Sequence, residues 1–192
     1  MKYERDEINM DVLKAIESRL SIRSYKDIPV KPEDLANIVK AGQIAPIAGA
    51  LHFSVVTNRN VLDNISEAGR QAMLNGTEFS KGRASLPGYT PLYHAPALVV
   101  ISGPKGGNFN DVNAGLAAEN IIIAATGLGY GSCYLYSISP LFKEGDKYNT
   151  LVGIPNNYEF CCGIIFGITD DVNAFSPVPR PAKNLDNINY VE

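Results

Sequence analysis

Residues 110–133 read NDVNAGLAAENIIIAATGLGYGSC, a run in which alanine and isoleucine dominate nearly every side of a predicted helix that ends at Thr126. Glu119 is the only charged residue of this helix after Asp111. A helix without a broad polar face is buried on several sides. In a chain of this size it is either a central core helix or a helix shared across a homodimer interface, and the sequence leaves both open.

A glycine-rich turn follows this helix. Gly127, Gly129 and Gly131 superficially resemble a dinucleotide-binding fingerprint. That fingerprint follows a strand and opens a helix, whereas these glycines close one. The pattern therefore indicates a helix C-terminal cap and a turn. The apolar segment that comes next, from Cys133 to Tyr136, predicts a strand.

Helices and strands interleave along the rest of the chain. Apolar residues spaced by three and four positions predict helices over 11–19, 32–42 and 61–72, and a shorter helix near 140–148. Short apolar runs predict strands over 53–57, 97–101 and 160–168. Because the elements do not alternate strictly, the sequence predicts an α+β sandwich, with a sheet covered by helices, in one domain that spans residues 1–192.

Two segments lack a helical or strand pattern. Residues 75–93 are rich in glycine, proline and polar side chains, which predicts a loop or a mobile lid. From Pro177 onward the chain also contains Pro179 and Pro181. We expect this part to be an extended tail that runs over the surface or over a partner subunit.

Composition and charge exclude several classes of protein. A chain of 192 residues with 45% apolar and 19% charged side chains is typical of a folded globular domain. A net charge of −3 leaves no broad basic face for nucleic acid. The three cysteines, two of them adjacent, suit neither a disulfide framework nor a zinc site, which favours a reducing cytoplasm and no bound metal.

The sequence indicates neither export nor membrane insertion. Acidic residues among the first seven positions stand where a secretory signal has a basic start. The longest uncharged stretch, residues 120–142, is interrupted by glycines and by Pro140, which favours a buried helix followed by a strand over a membrane span. We therefore expect a cytoplasmic protein.

A cationic cluster follows the first predicted helix. Arg19, Ser21 and Arg23 alternate along the chain, so in an extended backbone all three side chains point the same way. Two guanidinium groups and a hydroxyl in that arrangement suit a phosphate group. The alternative is a helix C-terminus whose arginines only complement the helix dipole.

Several motifs resemble those of the flavin-dependent nitroreductase family, in the same order and over nearly the whole chain. The family's opening Arg-x-Ser-x-Arg/Lys-x-Phe/Tyr is matched by Arg19, Ser21, Arg23 and Tyr25. Residues 45–51 stand where the family has Ala-Pro-Ser-Ala-x-Asn, and residues 52–56 resemble its Trp-His-Phe-x-Val strand. Residues 127–133 are similar to its Leu-Gly-Leu-Gly-Ser-Cys turn, and Pro179-Arg180-Pro181 to its C-terminal Pro-Arg-x-Pro.

The resemblance implies a three-layer sandwich in which helices flank a central, mostly antiparallel sheet. It also implies an FMN-binding homodimer whose active sites lie at the subunit interface. The implied activity is that of an NAD(P)H oxidoreductase that reduces nitroaromatic, quinone or similar small electrophilic acceptors by ping-pong hydride transfer through flavin N5. The chemistry belongs to the cofactor, so no protein side chain is expected to act as a catalytic nucleophile.

On that template the FMN site is assembled from several parts of the chain. The residues implied to hold the phosphate are Arg19, Ser21 and Arg180. Arg23 is implied to lie near N1 and O2 of the flavin ring, where a cation stabilises the negative charge of the reduced ring. The loop residues implied to touch the flavin are Pro46, Ile47 and Ala48. The residues implied to pass along the ring are Tyr134, Leu135, Tyr136 and Ser137, with a backbone N–H near Tyr136 or Ser137 donating to N5.

The chain departs from the family pattern at two places. The loop has Ala50 in place of the usual Asn, and the Gln-Pro-Trp that normally follows is missing before His52. Backbone groups or water then have to replace a side-chain donor, or the flavin is held more loosely. The basic residue usually found two positions before the tail arginine is Val178, which Lys183 is positioned to offset.

These departures keep two alternative functions open. One is a non-catalytic flavin-binding or flavin-sensing protein, which the missing side-chain donor favours. The other is a family relative with a different acceptor, such as an enone reductase or a dehalogenase, because residues 75–93 and the altered loop would choose the acceptor.

Overall fold

The computed structural model describes residues 10–176 and 188–191, and four strands form one sheet in it. The strands are β1 (His52–Val56), β2 (Ala97–Pro104), β3 (Gly131–Leu135) and β4 (Tyr158–Gly167). Their order across the sheet is β1-β2-β4-β3, and every neighbouring pair is antiparallel. The two central strands, β2 and β4, are buried over almost their whole length, which explains why both read as continuous apolar runs.

Seven helices surround this sheet in the described residues. They are α1 (Val12–Ser18), α2 (Pro32–Gln43), α3 (Arg59–Leu74), α4 (Glu78–Ala84), α5 (Asn110–Gly127), α6 (Ser139–Lys143) and α7 (Lys147–Val152). One apolar core lies between the sheet and helices α2 and α5, and a second lies between the opposite face and helices α3 and α6. The predicted α+β fold with three layers is therefore confirmed.

Three expectations about individual elements were wrong. Residues 75–93 are not a continuous loop, because they contain α4, which begins where the Thr77 side chain accepts a hydrogen bond from Ser80 N–H. The helix expected near 140–148 is two short helices, separated at Gly145 with a φ of +125°. Strand β3 begins at Gly131 and ends at Leu135, so Tyr136 lies beyond it.

Helix α5 is buried on the sheet side and exposed along one stripe. Its buried residues pack against the sheet and α2, whereas Val112 and Leu116 are 61% and 42% exposed. In the single chain one stripe of this helix is left exposed, so burial on several sides rests on the homodimer alternative, which stays a prediction. In the described residues no helix is both long and apolar enough to cross a membrane.

The turn after α5 forms the predicted helix cap. Gly129 adopts a φ of +73°, and Tyr130 N–H donates to Ala125 O at 2.8 Å. The Tyr130 side chain is 1% exposed, and its hydroxyl donates to Asp34 Oδ2 at 2.6 Å at the start of α2. This buried hydrogen bond ties α2 to the turn from which β3 begins.

We expect Tyr130→Phe to lower the free energy of unfolding by about 1–2 kcal/mol, because it leaves the Asp34 carboxylate without this donor. Urea unfolding followed by circular dichroism measures the change. Tyr190→Phe is the control, since the Tyr190 side chain is 85% exposed. Equal stabilities for the two variants would contradict a structural role for the Tyr130 hydroxyl.

Candidate functional site

The cationic segment at 19–23 lies along the edge strand β3. Ser21 pairs with Ser132 in a parallel bridge, and Ile22 N–H donates to Ser132 O at 2.8 Å. Ile22 is buried, whereas Ser21 and Arg23 are exposed. The backbone is therefore extended here, and the predicted alternation holds: Ser21 and Arg23 face outward while the residue between them enters the core.

A glycine permits this close approach. A Cβ atom at Gly131 would lie 2.9 Å from Ile22 Cγ1, which is closer than real Cβ contacts allow. The absence of a side chain at Gly131, the first residue of β3, therefore lets Ile22 lie against the strand. Any side chain at this position pushes the segment away from the strand.

The two arginines of the segment make different contacts. Arg23 Nη1 donates to Ser21 O at 3.2 Å, which keeps its guanidinium beside the Ser21 backbone. Arg19 Nε lies 3.7 Å from Glu119 Oε1 on α5. Glu119 therefore pairs with an arginine of this segment. Arg19 is also the C-cap residue of α1, which is the position that the helix-dipole alternative predicted.

Several positive charges surround the buried thiol of Cys133 on β3. Burial raises the pKa of Cys133, and the charges of Arg23, Arg83 and Arg19 and the Ser21 hydroxyl oppose that shift. Arg83 comes from α4, in the segment for which the sequence predicted a loop. The site therefore contains a cation that the sequence reading missed, because nothing in the local pattern around Arg83 indicates where α4 packs.

The other two cysteines have raised thiol pKa values and are therefore unreactive at neutral pH. Cys161 and Cys162 are both buried, and burial raises the pKa of Cys161 to about 11 and of Cys162 to about 12. Both thiols therefore stay protonated at neutral pH, as expected for small buried side chains.

The predicted loop residues 46–48 lie at the other end of α5. Asn113 Nδ2 donates to Ala48 O at 2.8 Å, and Ala48 N–H donates to Asn113 Oδ1 at 3.1 Å. Ile47 packs against the core beneath α5, while Pro46 and Ala48 are exposed. Asn113 was not among the predicted site residues. The sequence feature that could have identified Asn113 is an amide side chain on an otherwise apolar helix.

The predicted ring-contacting residues 134–137 fall at the end of β3. Tyr134 and Tyr136 are exposed, as is Ser137, and the Ser137 N–H has no hydrogen-bond acceptor among the described residues. Leu135 is buried in the core on the α3 side, so only its backbone faces a ligand there. The Tyr134 side chain is 45% exposed, and the burial of its remaining part is the main cause that raises the pKa of Tyr134. Cys162 and Asp111 add to this rise.

The structure brings some of the predicted residues together along β3. Residues 19–23 and 134–137 share the edge of the sheet at β3. No hydrogen bond or ion pair between described residues joins residues 46–48 to either group. Arg180 lies outside the described residues, as does the expected course of the tail from Pro177 to residue 187.

A buried polar atom lies under the outward-facing segment. The Ser132 hydroxyl is buried and has no hydrogen-bond partner among the described residues. Ser132 pairs with Ser21, so this hydroxyl, the Ser21 hydroxyl and the two guanidinium groups belong to one small region. A set of hydroxyl and guanidinium donors suits a phosphate group, whose oxygens accept charge-assisted hydrogen bonds.

A groove continues from this segment toward α4. It has a volume of about 340 Å³ and includes Arg23, Tyr25, Leu86, Tyr89 and Tyr93 in its walls. The groove therefore joins the cationic segment to the part of the chain around α4.

Comparison with known proteins gives consistent matches over most of the chain. The sequence model of the nitroreductase family matches residues 16–168. A protein of Archaeoglobus fulgidus named "Putative NADH dehydrogenase/NAD(P)H nitroreductase" is 33% identical over 174 residues, which cover 86% of this chain and 89% of the relative.

Solved structures give the same fold. A nitroreductase with bound FMN from Bacteroides fragilis is 27% identical with a TM-score of 0.82, and the match covers 95% of this chain and all of that one. A nitroreductase with bound FMN from Desulfitobacterium hafniense is 28% identical with a TM-score of 0.83 and the same coverage.

Proposed function

Because the chain belongs to the nitroreductase family, we propose that it is an FMN-dependent NAD(P)H oxidoreductase that reduces nitroaromatic, quinone or similar electrophilic acceptors. The observation that carries the proposal is the segment at 19–23, whose Ser21 pairs with Ser132 on β3 and whose Arg19 and Arg23 flank Ser21, next to a buried Ser132 hydroxyl that has no partner among the described residues. In this proposal residues 1–192 form a single FMN-binding domain.

The residues of this segment fit the phosphate end of FMN. Arg19 and Ser21 supply charged and neutral donors, and Arg180 of the tail is the third proposed phosphate ligand. Arg19 Nε lies 3.7 Å from Glu119 Oε1 in an ion pair at the surface, since the Glu119 side chain is 57% exposed. An anion bound here gains charge-assisted hydrogen bonds from Arg19 and a further donor from Ser21.

The residues beyond the phosphate end fit the flavin ring. When bound, FMN supplies hydride transfer between NAD(P)H and the acceptor. Arg23 adds a positive charge at the ring edge, and the backbone of residues 134–137 supplies N–H donors, of which that of Ser137 has no acceptor among the described residues. The protein binds, orients and tunes the cofactor, while no side chain acts as a nucleophile.

An exposed apolar surface supports the proposal that the chain forms a homodimer. Phe109, Val112 and Leu116 make a stripe along α5, with exposed fractions between 42% and 61%. Leu13 and Ile16 of α1, which packs beside α5, are also exposed. A contiguous apolar patch of this kind marks an interaction surface.

A dimer also bears on how the predicted FMN contacts come together. Residues 46–48 are held by Asn113 on α5 and make no hydrogen bond, among the described residues, with residues 19–23 or 134–137. If two copies pack through the exposed face of α5, the loop of one subunit approaches the edge strand of the other. We therefore propose that each active site is shared between subunits.

The first test is an absorbance spectrum of the purified protein, before and after anaerobic addition of NADH and then NADPH. We expect flavin bands that bleach with at least one of the two donors. Flavin that stays oxidised with both donors would favour the alternative of a non-catalytic flavin-binding protein, for which the Ala50 change and the shortened loop speak. A colourless protein that does not take up added FMN would overturn both.

We expect Arg23→Ala to lower the reduction potential of bound FMN by tens of millivolts, where about 30 mV corresponds to a tenfold change in equilibrium for a two-electron couple. The reason is that the variant removes the positive charge proposed to lie at the ring edge. Arg19→Ala removes a charge proposed to lie at the phosphate, so it is expected to weaken FMN binding and to shift the potential less. Potentiometric titration of both variants measures the difference, and equal shifts would contradict the assignment of Arg23 to the ring.

We expect Leu116→Glu to raise the dissociation constant of the dimer at least tenfold, or about 1.4 kcal/mol. A charge in an apolar interface carries a desolvation cost that no partner offsets. The matched control is Leu151→Glu on α7, because both leucines are 42% exposed and α7 lies across the sheet from α5. Sedimentation velocity over a range of protein concentrations measures both variants, and an equal effect on the two would remove the α5 stripe as the interface.

A further inference from the structure

A second cavity lies beside the proposed flavin site. It has a volume of about 660 Å³, and residues of α4 and of the segment after it line it, among them Phe79, Arg83, Leu86, Tyr89 and Tyr93. The last three of these also line the groove that reaches Arg23. The two spaces therefore share part of their lining and lie side by side, which places the cavity next to the groove that reaches Arg23.

One cation is held ready within this largely apolar cavity. Arg83 Nη2 donates to the Tyr93 hydroxyl at 2.5 Å, and the guanidinium carbon lies 5.5 Å from the centroid of the Tyr89 ring. The Tyr89 and Tyr93 rings meet edge to face, with centroids 5.8 Å apart. Arg83 is therefore positioned by a hydrogen bond and a cation–π contact at once.

No carboxylate neutralises this cation among the described residues. The acidic residue of α4 that lines the same cavity, Glu78, pairs instead with Lys81 at 3.2 Å. The guanidinium of Arg83 therefore has N–H donors that can bind a planar anion such as a carboxylate.

The backbone holds Tyr93 in an uncommon conformation. Its φ is +49° and that of His94 is +59°, although neither residue is glycine. Tyr93 N–H donates to Thr90 O at 3.0 Å, which closes a tight turn. Left-handed non-glycine residues cost free energy and persist where the surrounding structure fixes them. The strained turn aims the Tyr93 ring and hydroxyl at Arg83.

We propose that Arg83, Tyr89 and Tyr93 form the acceptor subsite and that it selects aromatic acceptors that carry a carboxylate. Arg83 binds the carboxylate, and the tyrosine rings with Phe79 and Leu86 pack against the aromatic ring. The proposal rests on the proposed function, since an acceptor subsite requires the redox reaction. The proposal specifies the class of acceptor and leaves the proposed redox reaction as it is. Tyr93 is a positioning residue that acts through Arg83.

The experiment compares a charged ligand with its neutral ester on the FMN-loaded protein. Binding of benzoate and of methyl benzoate, neither of which is reduced, is measured by titration calorimetry. The variants are Arg83→Gln and, as a matched control that removes one positive charge from an exposed site outside the cavity, Lys40→Gln on α2.

We expect Arg83→Gln to weaken benzoate binding about tenfold, the size of a lost charge-assisted hydrogen bond. Methyl benzoate binding is expected to stay within about twofold, since the ester has no charge for Arg83 to recognise. Lys40→Gln is expected to change neither. Tyr93→Phe leaves the charge but removes the hydroxyl that holds it, so its benzoate affinity is expected to lie between those of the wild type and Arg83→Gln.

Steady-state kinetics with 4-nitrobenzoate and its methyl ester supply a second measurement. We expect kcat/KM for the acid to fall in Arg83→Gln while that for the ester stays the same. The KM values for NADH and NADPH are expected to be unchanged, which separates an acceptor carboxylate from the phosphates of the nicotinamide donor as the anion bound by Arg83.

Several outcomes would overturn the subsite. One is a wild-type protein that does not prefer benzoate over its ester; another is equal weakening of both ligands in Arg83→Gln, or equal weakening of benzoate in Lys40→Gln. A rise in KM for NADPH alone would assign Arg83 to the donor instead. Failure of the proposed redox function has a different signature: flavin that does not bleach with either nicotinamide, while benzoate still binds in a manner that depends on Arg83.

Discussion

The packing of α5 against the sheet is the constraint on which the rest of the structure depends. Its buried face anchors the core shared with α2, and the turn at its end delivers β3 to the sheet edge. Three residues of the helix act on the candidate site. Asn113 forms hydrogen bonds with Ala48, Glu119 pairs with Arg19, and the charge of Asp111 contributes to the raised pKa of Tyr134. A shift of α5 would therefore move both proposed halves of the FMN site.

The sequence predicted this frame well because the signals involved are local. Continuous apolar runs identified β2 and β4, and the three glycines after Thr126 identified the turn. The alternation from Arg19 to Arg23 places the three side chains on one face if the backbone is extended, and the bridge between Ser21 and Ser132 shows that it is extended at Ser21. The roles of individual residues toward FMN stay predictions, since they depend on a ligand and on a second subunit.

The features that the sequence reading missed depend on contacts between distant parts of the chain. Helix α4 is only seven residues long, and Gly82 interrupts a pattern that is already too short to recognise. The contact of Arg83 with Tyr93, and the place of both beside Arg23, arise from the way this helix folds back. The exposure of Val112 and Leu116 was missed for a related reason, since composition shows that a face is apolar but not what covers it.

The shortened loop before β1 is compensated by an amide on α5 and not by the loop itself. The family's usual Asn is Ala50 here, and a Gln-Pro-Trp is missing. Asn113 satisfies both the N–H and the carbonyl of Ala48 with its side chain, at 3.1 and 2.8 Å. A paired donor and acceptor of this kind fixes backbone conformation without any contribution from the ligand. The loop therefore keeps its conformation without the missing side chain, and in the proposed dimer its contact with the flavin comes from backbone groups other than the N–H and the carbonyl of Ala48.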